Sequence, residues 1–291
     1  MPVVKTKNAA AKYVTVGYVS RNIVREQSLI YYSLGRRATR FKVPDCDRHY
    51  MVHEDLLCAN SGLFKARLQK KRKAVSGDCP ICHEDLSPEA GDITFCRAAC
   101  GQNLHEKCME DWNSSRAGAT TCPMCRTAWS EVPETMTFLG ERLDQNALQV
   151  YIDWLYRGNL RLGEGHGCYT TSNDVLLLQA MDVAEVLVDK GFQHALVAYH
   201  VTGLMSGEDA GFRSEGITET YECVGIDTQG YIVDSSLATD CVDWLDKVDM
   251  DQLPAEFVQR LCRASLRAGN EVRNVAWLLS KYTEGEYELK P

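Results

Sequence analysis

Seven cysteines and one histidine in the middle of this chain have the types and the spacing to bind metal ions. They form four short pairs: Cys79 and Cys82, Cys96 and Cys100, His105 and Cys108, and Cys122 and Cys125. Two thiolates on one tight turn are separated by about the distance that a tetrahedral zinc ion requires. Because four pairs complete two tetrahedra, the sequence predicts two bound zinc ions. A disulfide framework is the alternative.

Composition favours metal over disulfides. The chain begins MPVVKTKNAA, which lacks the basic and then apolar pattern of a secretory signal. Its best apolar stretch, residues 175–188, is interrupted by Gln179, Asp182 and Glu185, so no membrane span is expected. These features predict an intracellular protein, cytoplasmic or nuclear. In such a reducing compartment, clustered cysteines are interpreted as metal ligands.

The segments around the ligands, CPICHEDL, CGQNLHEKCMEDW and CPMCR, resemble a RING finger over residues 78–127. In that family the ligands alternate between two ions in a cross-brace. The resemblance implies one zinc held by Cys79, Cys82, His105 and Cys108, and a second held by Cys96, Cys100, Cys122 and Cys125. The fourth ligand is a cysteine where histidine is commoner, which is similar to the fingers of the SWIM-associated and MEK-kinase-kinase type.

A PHD finger, the kind that reads histone tails, is the alternative zinc module. It has the same order of ligands and nearly the same spacing. That family places an aromatic residue two positions before its seventh ligand, where this chain has Thr120. The RING resemblance is therefore favoured.

Four residues beside the ligands correspond to the docking surface of RING ubiquitin ligases. In that family three apolar positions form a shallow groove that binds the ubiquitin-conjugating enzyme, and here they hold Ile81, Trp112 and Pro123. A small zinc module has too little core to bury a tryptophan fully, so Trp112 is expected to be half exposed. Arg126 matches the family's linchpin arginine, whose planar, five-donor group bridges the conjugating enzyme and ubiquitin. The alternatives are that Ile81 and Trp112 only pack the zinc loops and that Arg126 is a plain surface charge.

The resemblance implies an E3 ubiquitin transferase that forms no covalent bond to ubiquitin. The conjugating enzyme carries the activated ubiquitin and the finger positions it for attack, so no catalytic residue is assigned in this chain. All seven cysteines of the finger serve as ligands, and no further cysteine-rich segment resembles a thioester acceptor. The finger is expected to need its metal, because zinc supplies on the order of 10–16 kcal/mol to such modules.

Patterned segments before the finger predict the elements that hold it. Residues 40–43 and 49–53 alternate polar and apolar side chains around a turn at Pro44, as a β-hairpin does. The segment HEDLLCANSGLFKARL that follows is spaced for two short helices. The basic run 65–73 is predicted to be the solvated end of the second helix, where cations are favourable. A nuclear-import or phosphate-binding patch is the alternative for this run.

Further elements are predicted after the finger. Residues 135–139 are typical of a strand, and the apolar positions from Leu148 to Leu155 predict a helix that ends near Gly158. Residues 175–188 predict a buried helix, capped by Asn173 and stopped by Gly191.

Together the flanking segments resemble a BTB/POZ domain, of the divergent sort common in fungi. The matching stretches are YMVHEDLLCANSGLFKARL, ETMTFL, YIDWLYRGNL and the helix that ends VLVDKGF. A BTB domain has only a short connection where this chain has the finger. The expected fold class is therefore α+β, a BTB/POZ-like domain with an inserted cross-brace finger. Insertion is tolerable in an exposed turn if the ends of the insert lie close together. Two tandem domains are the alternative arrangement.

This organisation divides the chain into five segments. They are a strand-rich extension (1–35), the first part of the BTB/POZ-like domain (36–77), the finger (78–127), the second part of that domain (128–200), and an acidic loop with a helical extension (201–291). In the first segment, residues 13–19 and 29–34 are candidate strands. In the last, one helix is predicted after Pro254 with Phe257, Leu261 and Leu266 on one face, and another is predicted to be capped by Asn270.

The expected partners are a ubiquitin-conjugating enzyme with ubiquitin and, through the BTB/POZ-like domain, a second copy of the chain, a cullin or a substrate. The formal net charge of −8 comes mostly from residues 201–291, which gives no broad electrostatic footprint for nucleic acid. A non-enzymatic BTB adaptor with a structural zinc finger is the main alternative function. A chromatin scaffold is a further alternative, which the acidic balance does not favour.

Overall fold

The computed structural model describes residues 3–6, 13–15, 37–42, 49–87, 92–115, 118–129, 135–137, 143–160, 162, 173–206, 211–239, 250–268, 273–284 and 287–290. These residues form a helix-rich mixed protein with small sheets. They divide into two compact units, Ser28–Arg142 and Met1–Gln27 with Leu143–Pro291. Within the described ranges, no helix is long and apolar enough to span a bilayer.

The strands, in chain order, are β1 (Val3–Thr6), β2 (Tyr13–Thr15), β3 (Ala38–Lys42), β4 (Tyr50–His53), β5 (Ile93–Phe95), β6 (Asn103–His105), β7 (Thr135–Thr137) and β8 (Tyr287–Lys290). The α-helices are α1 (Glu54–Asn60), α2 (Gly62–Leu68), α3 (Glu106–Ser114), α4 (Gln145–Arg157), α5 (Asn173–Leu187), α6 (Lys190–Ser206), α7 (Ser214–Thr220), α8 (Ile226–Ala238), α9 (Ala255–Ala268) and α10 (Val275–Tyr282).

In the unit Ser28–Arg142, a small sheet holds the hairpin predicted from the sequence. β3 and β4 pair antiparallel, with Phe41 opposite Tyr50, and β7 joins β3 in parallel. Alternate side chains on both hairpin strands are buried, as the period of two requires. The Phe64 ring of α2 packs against the Phe41 ring with 5.2 Å between centroids, so the second predicted helix covers this sheet.

The finger lies in the chain between α2 and β7. Its regular elements are the antiparallel pair β5–β6 and helix α3. Ser61 separates α1 from α2, because its side chain accepts a hydrogen bond from the Phe64 N–H and so begins the second helix. The two short helices predicted from the sequence are therefore confirmed.

The other unit consists mainly of packed helices. The Asp144 side chain accepts from the N–H groups of Asn146 and Ala147 to begin α4, and Gly158, with φ 68°, ends it where the sequence predicted. α5 is buried on nearly every side, as its apolar composition indicated. In the same unit, β1 pairs antiparallel with both β2 and β8.

The predicted stop at Gly191 is wrong. α5 ends at Leu187, and Val188 takes a left-handed backbone conformation with φ 54°. Asp189 then begins the next helix, because its Oδ1 accepts from the Phe192 N–H at 2.9 Å. Gly191 consequently lies in the first turn of α6 instead of ending α5.

The C-terminal helices agree with the sequence in part. Phe257 and Leu261 of α9 are buried as expected, whereas Leu266 is 84% exposed. α10 is capped by Asn274, whose side chain accepts from the Trp277 N–H. The predicted cap Asn270, and the candidate strand 29–34, lie outside the described residues.

Candidate metal centre

The four ligand pairs meet crosswise in the structure. The first and third pairs form one group, and the second and fourth form another: Cys79, Cys82, His105 and Cys108 in the first, and Cys96, Cys100, Cys122 and Cys125 in the second. Within each group, one ligand atom from every residue lies within 4.8 Å of the other three. This is the cross-brace that the RING resemblance implied.

The separations fit zinc and not disulfides. Cys96 Sγ lies 3.7 Å from Cys125 Sγ, and Cys100 Sγ lies 3.7 Å from Cys122 Sγ. A tetrahedron with Zn–S distances of about 2.3 Å has edges of about 3.8 Å, whereas a disulfide requires about 2.05 Å. Both groups therefore fit a zinc ion, two in all.

Two turns of the same design present half of the ligands. In the first, the carbonyl of Cys79 accepts from the His83 N–H at 2.8 Å, and in the second the carbonyl of Cys122 accepts from the Arg126 N–H at 2.9 Å. His83 and Arg126 both have left-handed backbones, with φ 61° and 62°. Each turn also has proline directly after its first cysteine, a residue whose fixed φ suits that turn position. The repeated C-P-x-C sequence thus produces two equivalent metal-binding turns.

His105 is oriented by a hydrogen bond on the far side of its ring. Its Nδ1 lies 3.3 Å from Cys82 Sγ, and its Nε2 lies 3.2 Å from the carbonyl oxygen of Asp85. Since a carbonyl only accepts, Nε2 carries the proton and Nδ1 offers its lone pair to the metal. The residue also ends β6 and precedes α3, whose first turn carries Cys108.

Thiolates in these groups need a cation to balance their charge. Burial raises the pKa of both Cys108 and Cys122 to about 12, so these thiols are neutral at pH 7 without metal. Hydrogen bonds from the Thr127 hydroxyl and backbone lower the pKa of the half-buried Cys125 to about 6. Zinc binding deprotonates the neutral thiols, so the occupancy of both sites depends on pH.

The residues predicted to contact a conjugating enzyme lie around these turns. Ile81 and Trp112 are half-buried and pack against one small core within the finger, which includes Leu86, Leu104 and Met109. The Trp112 Nε1–H donates to the carbonyl of Thr121 at 3.1 Å, which ties α3 to the second turn.

The second turn presents the remaining residues of that surface. Pro123 is half-buried and Arg126 is exposed. The sequence interpretation missed Met124, which is 52% exposed and occupies the position in the second turn that Ile81 occupies in the first. The parallel between CPIC and CPMC was the signal available for it.

A buried ion pair joins the finger to helix α1, and it was not predicted from the sequence. Arg97 donates to both carboxylate oxygens of Glu54, at 2.6 and 2.8 Å, and to the carbonyl of Leu68 at 2.8 Å. The Arg97 guanidinium also lies over the Phe95 ring, 4.3 Å from its centroid. Glu54 begins α1, where the helix dipole favours its negative charge.

The basic run 65–73 contributes to the same junction. Lys71 Nζ donates to the Ala98 carbonyl, and Arg72 pairs with Asp55 at 3.0 Å and with the Asn103 side chain. Lys73 Nζ donates to Gln102 Oε1. Part of the run therefore holds the finger, a role that neither of the two predictions for this segment included.

Comparison with known proteins supports the finger. Residues 77–126 match the family model "Ring finger domain". The chain is 40% identical over 63 residues to the E3 ubiquitin-protein ligase Zswim2 of Mus musculus, which covers 20% of this chain and 10% of that protein. It is 36% identical over 62 residues to ZSWIM2 of Homo sapiens, covering 19% and 10%. It is also 35% identical over 63 residues to the probable E3 ubiquitin-protein ligase XERICO of Arabidopsis thaliana, covering 22% and 36%.

These matches cover small parts of the chains compared. This chain spans a tenth of the length of the first two relatives and about a third of the plant protein. The family model matches the segment whose ligands form the cross-brace described above. Residues 77–126 of this chain are a RING finger.

Proposed function

We propose that this chain is a RING-type ubiquitin ligase that binds a ubiquitin-charged conjugating enzyme and positions it for transfer to a substrate. One observation carries the proposal: the two matched turns hold Ile81 and Pro123 in partly exposed positions, and Trp112 connects to the second turn through Thr121. A partly exposed apolar surface on a rigid zinc scaffold is suited to binding a partner's loop. The names of the relatives agree with this activity.

Arg126 is proposed to hold the charged ubiquitin in the reactive orientation. Its side chain is exposed and its backbone adopts the left-handed conformation, which costs a non-glycine residue of order 1–3 kcal/mol. His83 shares this conformation in the first turn, so the left-handed backbone belongs to the turn, and the proposed role rests on the exposed guanidinium. The guanidinium can donate hydrogen bonds to two proteins at once.

The chain contains a matched pair of residues to test this role. His83 has the same φ, the same position after a ligand cysteine and the same exposure as Arg126. In single-turnover discharge of ubiquitin from a conjugating enzyme to free lysine, Arg126→Ala is expected to slow the reaction about tenfold, the equivalent of ~1.4 kcal/mol. His83→Ala leaves an alanine on the same left-handed backbone, as Arg126→Ala does, and is expected to retain the rate. Equal rates for the two variants would contradict the assignment.

The groove itself is tested by the Ile81→Ala, Trp112→Ala double variant. Loss of two apolar contact residues is expected to weaken binding of the conjugating enzyme at least tenfold. Both side chains also pack on the core of the finger, so zinc content and thermal unfolding must be measured alongside binding. A double variant that keeps two zinc ions and full ligase activity would contradict the assigned groove.

Recruitment of the substrate is proposed for the BTB/POZ-like segments, 36–77 and 128–200. The order of elements supports this proposal: a hairpin, two short helices, a strand parallel to the hairpin and then long helices. The same segments would bind a second copy of the chain or a cullin. Cross-linking and light scattering of the purified chain test self-association, and co-purification tests binding to a cullin.

A non-enzymatic adaptor is the second candidate function. The buried Arg97–Glu54 pair favours it, because a finger attached in this way contributes to the scaffold whether or not it binds a conjugating enzyme. This candidate predicts cullin binding together with no discharge of ubiquitin by the isolated chain. The lysine-discharge assay therefore separates the two functions without knowledge of the substrate.

A further inference from the structure

Two large apolar side chains in the described ranges are exposed more than all others of their kind. They are Leu266 of α9, at 84%, and Ile226 of α8, at 71%, and both belong to the unit of packed helices. A single exposed leucine or isoleucine is ordinary on a protein surface. These two differ from that case because each has charged neighbours of mainly one sign, positive for Leu266 and negative for Ile226.

Leu266 lies on the outer face of a basic helix. The inner face of α9 holds the buried Phe257, and at 3.6 residues per turn Leu266 is about 180° from it. Arg263 and Arg267, three positions before Leu266 and one after it, are exposed as well. No acidic residue occurs from position 257 to position 268. The outer face therefore presents an apolar side chain flanked by two arginines.

Ile226, the first residue of α8, has acidic neighbours. Asp227 follows it directly and is exposed, and Glu219 and Glu222 are exposed in the helix and the turn that precede it. The Gln229 side chain donates to two carbonyls of that turn, at 2.9 and 3.4 Å, and so holds the turn against the start of α8. This surface therefore presents an apolar side chain beside three exposed carboxylates.

The positive end of the α8 dipole does not neutralise this surface. The Glu185 carboxylate of α5 accepts from the N–H groups of Asp227 and Thr228, at 3.3 and 3.0 Å, and so occupies that end of the helix. Arg260 donates to the Gln229 side chain at 2.8 Å, at the edge of the surface. Its single positive charge does not balance three carboxylates.

We propose that two copies of this chain bind each other through these two surfaces. The basic face consists of Arg263, Leu266 and Arg267, and the acidic surface consists of Glu219, Glu222, Ile226 and Asp227. Contact would remove both apolar side chains from water, and arginine pairs with carboxylates through a planar fork of donors. Within one copy both apolar side chains are exposed, so the two surfaces do not cover each other.

The contact joins different surfaces of the two copies, so it is heterologous. Each bound copy keeps one unused surface, and further copies can add until a ring closes or a filament grows. This inference goes beyond the proposed ligase function. Both surfaces belong to residues 201–291, outside the segments 36–77 and 128–200 for which self-association was proposed above. A two-fold dimer of those segments would close after two copies.

Sedimentation velocity of the zinc-loaded full chain tests for such growth. From about 2 to about 200 µM, the weight-average size is expected to rise beyond that of a dimer, with a Kd of about 10–100 µM, as a small and polar contact allows. Raising sodium chloride from about 50 to about 500 mM is expected to weaken the association about tenfold, because salt screens exposed charges.

A pair of variants assigns the contact to its two surfaces. Leu266→Glu alters the basic face alone, and Ile226→Lys alters the acidic surface alone, so each is expected to weaken the association at least tenfold. A mixture of the two contains one intact surface of each kind. It is expected to form a complex of one copy of each variant, with the Kd of the unaltered chain and no further growth. Val75, 42% exposed and outside both surfaces, provides the controls Val75→Glu and Val75→Lys, which are expected to associate normally.

The remaining outcomes overturn the inference. A chain that stays monomeric at about 200 µM lacks the contact. A dimer that both variants leave unchanged belongs to the BTB/POZ-like segments, and it would support that proposal against this one. A mixture that does not form the complex would show that the two surfaces do not bind each other. Circular dichroism, zinc content and thermal unfolding confirm that each variant is folded, and a chain without ligase activity can still pass this test.

Discussion

Gly101 is the residue whose substitution tests most directly how the finger is attached. Its φ is 67°, and its carbonyl accepts from the Lys73 N–H at 3.0 Å. A Cβ at this position would lie 1.6 Å from the carbonyl oxygen of Lys71 and 2.7 Å from its carbonyl carbon. The obstacle is backbone, which cannot rotate away as a side chain can. Gly101→Ala must therefore separate the finger from the segment after α2.

Gly77 provides the control for this substitution. Its φ is 73°, and a Cβ built there has no heavy atom within 4 Å. Both alanine variants cost about 1–2 kcal/mol for a left-handed non-glycine residue. Gly101→Ala is expected to cost a further ~2–4 kcal/mol, from overpacking of about 1–3 and one lost hydrogen bond of about 1. The difference between the two variants isolates the attachment of the finger from backbone strain.

Two assays measure this difference. Urea denaturation is expected to give a free energy of unfolding about 2–4 kcal/mol lower for Gly101→Ala than for Gly77→Ala. Gly101 follows Cys100, so zinc transfer to a coloured chelator is expected to become biphasic in this variant, with the ion of the second ligand group released first. Equal unfolding free energies and equal release rates would refute the idea that the close backbone approach holds the finger.

Three further predictions follow from the same structure. Arg97→Met leaves Glu54, 3% exposed, without its charge partner and is expected to cost about 3–5 kcal/mol in urea denaturation, and the double variant with Glu54→Met is expected to recover much of it. Chelation of zinc is expected to unfold residues 77–126, because metal binding supplies their stability, and to leave α4–α10 protected in hydrogen exchange measured by mass spectrometry. Burial raises the pKa of Asp189 to about 6 in the folded protein, against about 4 in the unfolded chain. The contribution of Asp189 to the free energy of unfolding is therefore greatest below about pH 4 and is lost as the pH rises through 6. Asp189→Asn is expected to remove this part of the pH dependence, as a comparison of unfolding free energies at pH 5 and 7 would show.

Local chemistry was the predictable part of this protein. The spacing of Cys79 to Cys125 predicted two zinc ions, because four ligand pairs complete two tetrahedra, and the resemblance to a RING finger implied which pairs share an ion. The hairpin, the helix that ends at Gly158 and the strand at residues 135–137 followed from side-chain period and turn residues. For the hairpin, the helix and the strand, the signal and the structure it determines lie within a few residues of each other, whereas the metal groups join ligand pairs that are distant in the chain.

The features that sequence reasoning missed depend on contacts between distant residues. Glu54 and Arg97 are 43 positions apart, and nothing in either neighbourhood indicates that they pair. The stop at Gly191 failed for a related reason: glycine is a general signal for a helix end, but Asp189 caps the following helix two residues earlier and Val188 adopts the left-handed backbone. Leu266 matched the apolar period of α9 and is exposed, since period alone does not say how far a partner surface extends.

The attachment of the finger has a consequence for how a ligase of this design would work. Three kinds of contact restrain it at separate points: the hydrogen bond between Gly101 and Lys73, the Arg97–Glu54 pair, and the guanidinium of Arg72 over Phe95. A single contact would let the finger rotate about that point, whereas three contacts at separate points prevent the rotation. The surface formed by Ile81, Trp112 and Pro123 is thus held at a constant orientation to β3, β4 and the two short helices. In such a ligase, this junction would determine which substrate lysines the charged conjugating enzyme can reach. Variants at the junction should then change which lysine is modified, while binding of the conjugating enzyme stays the same.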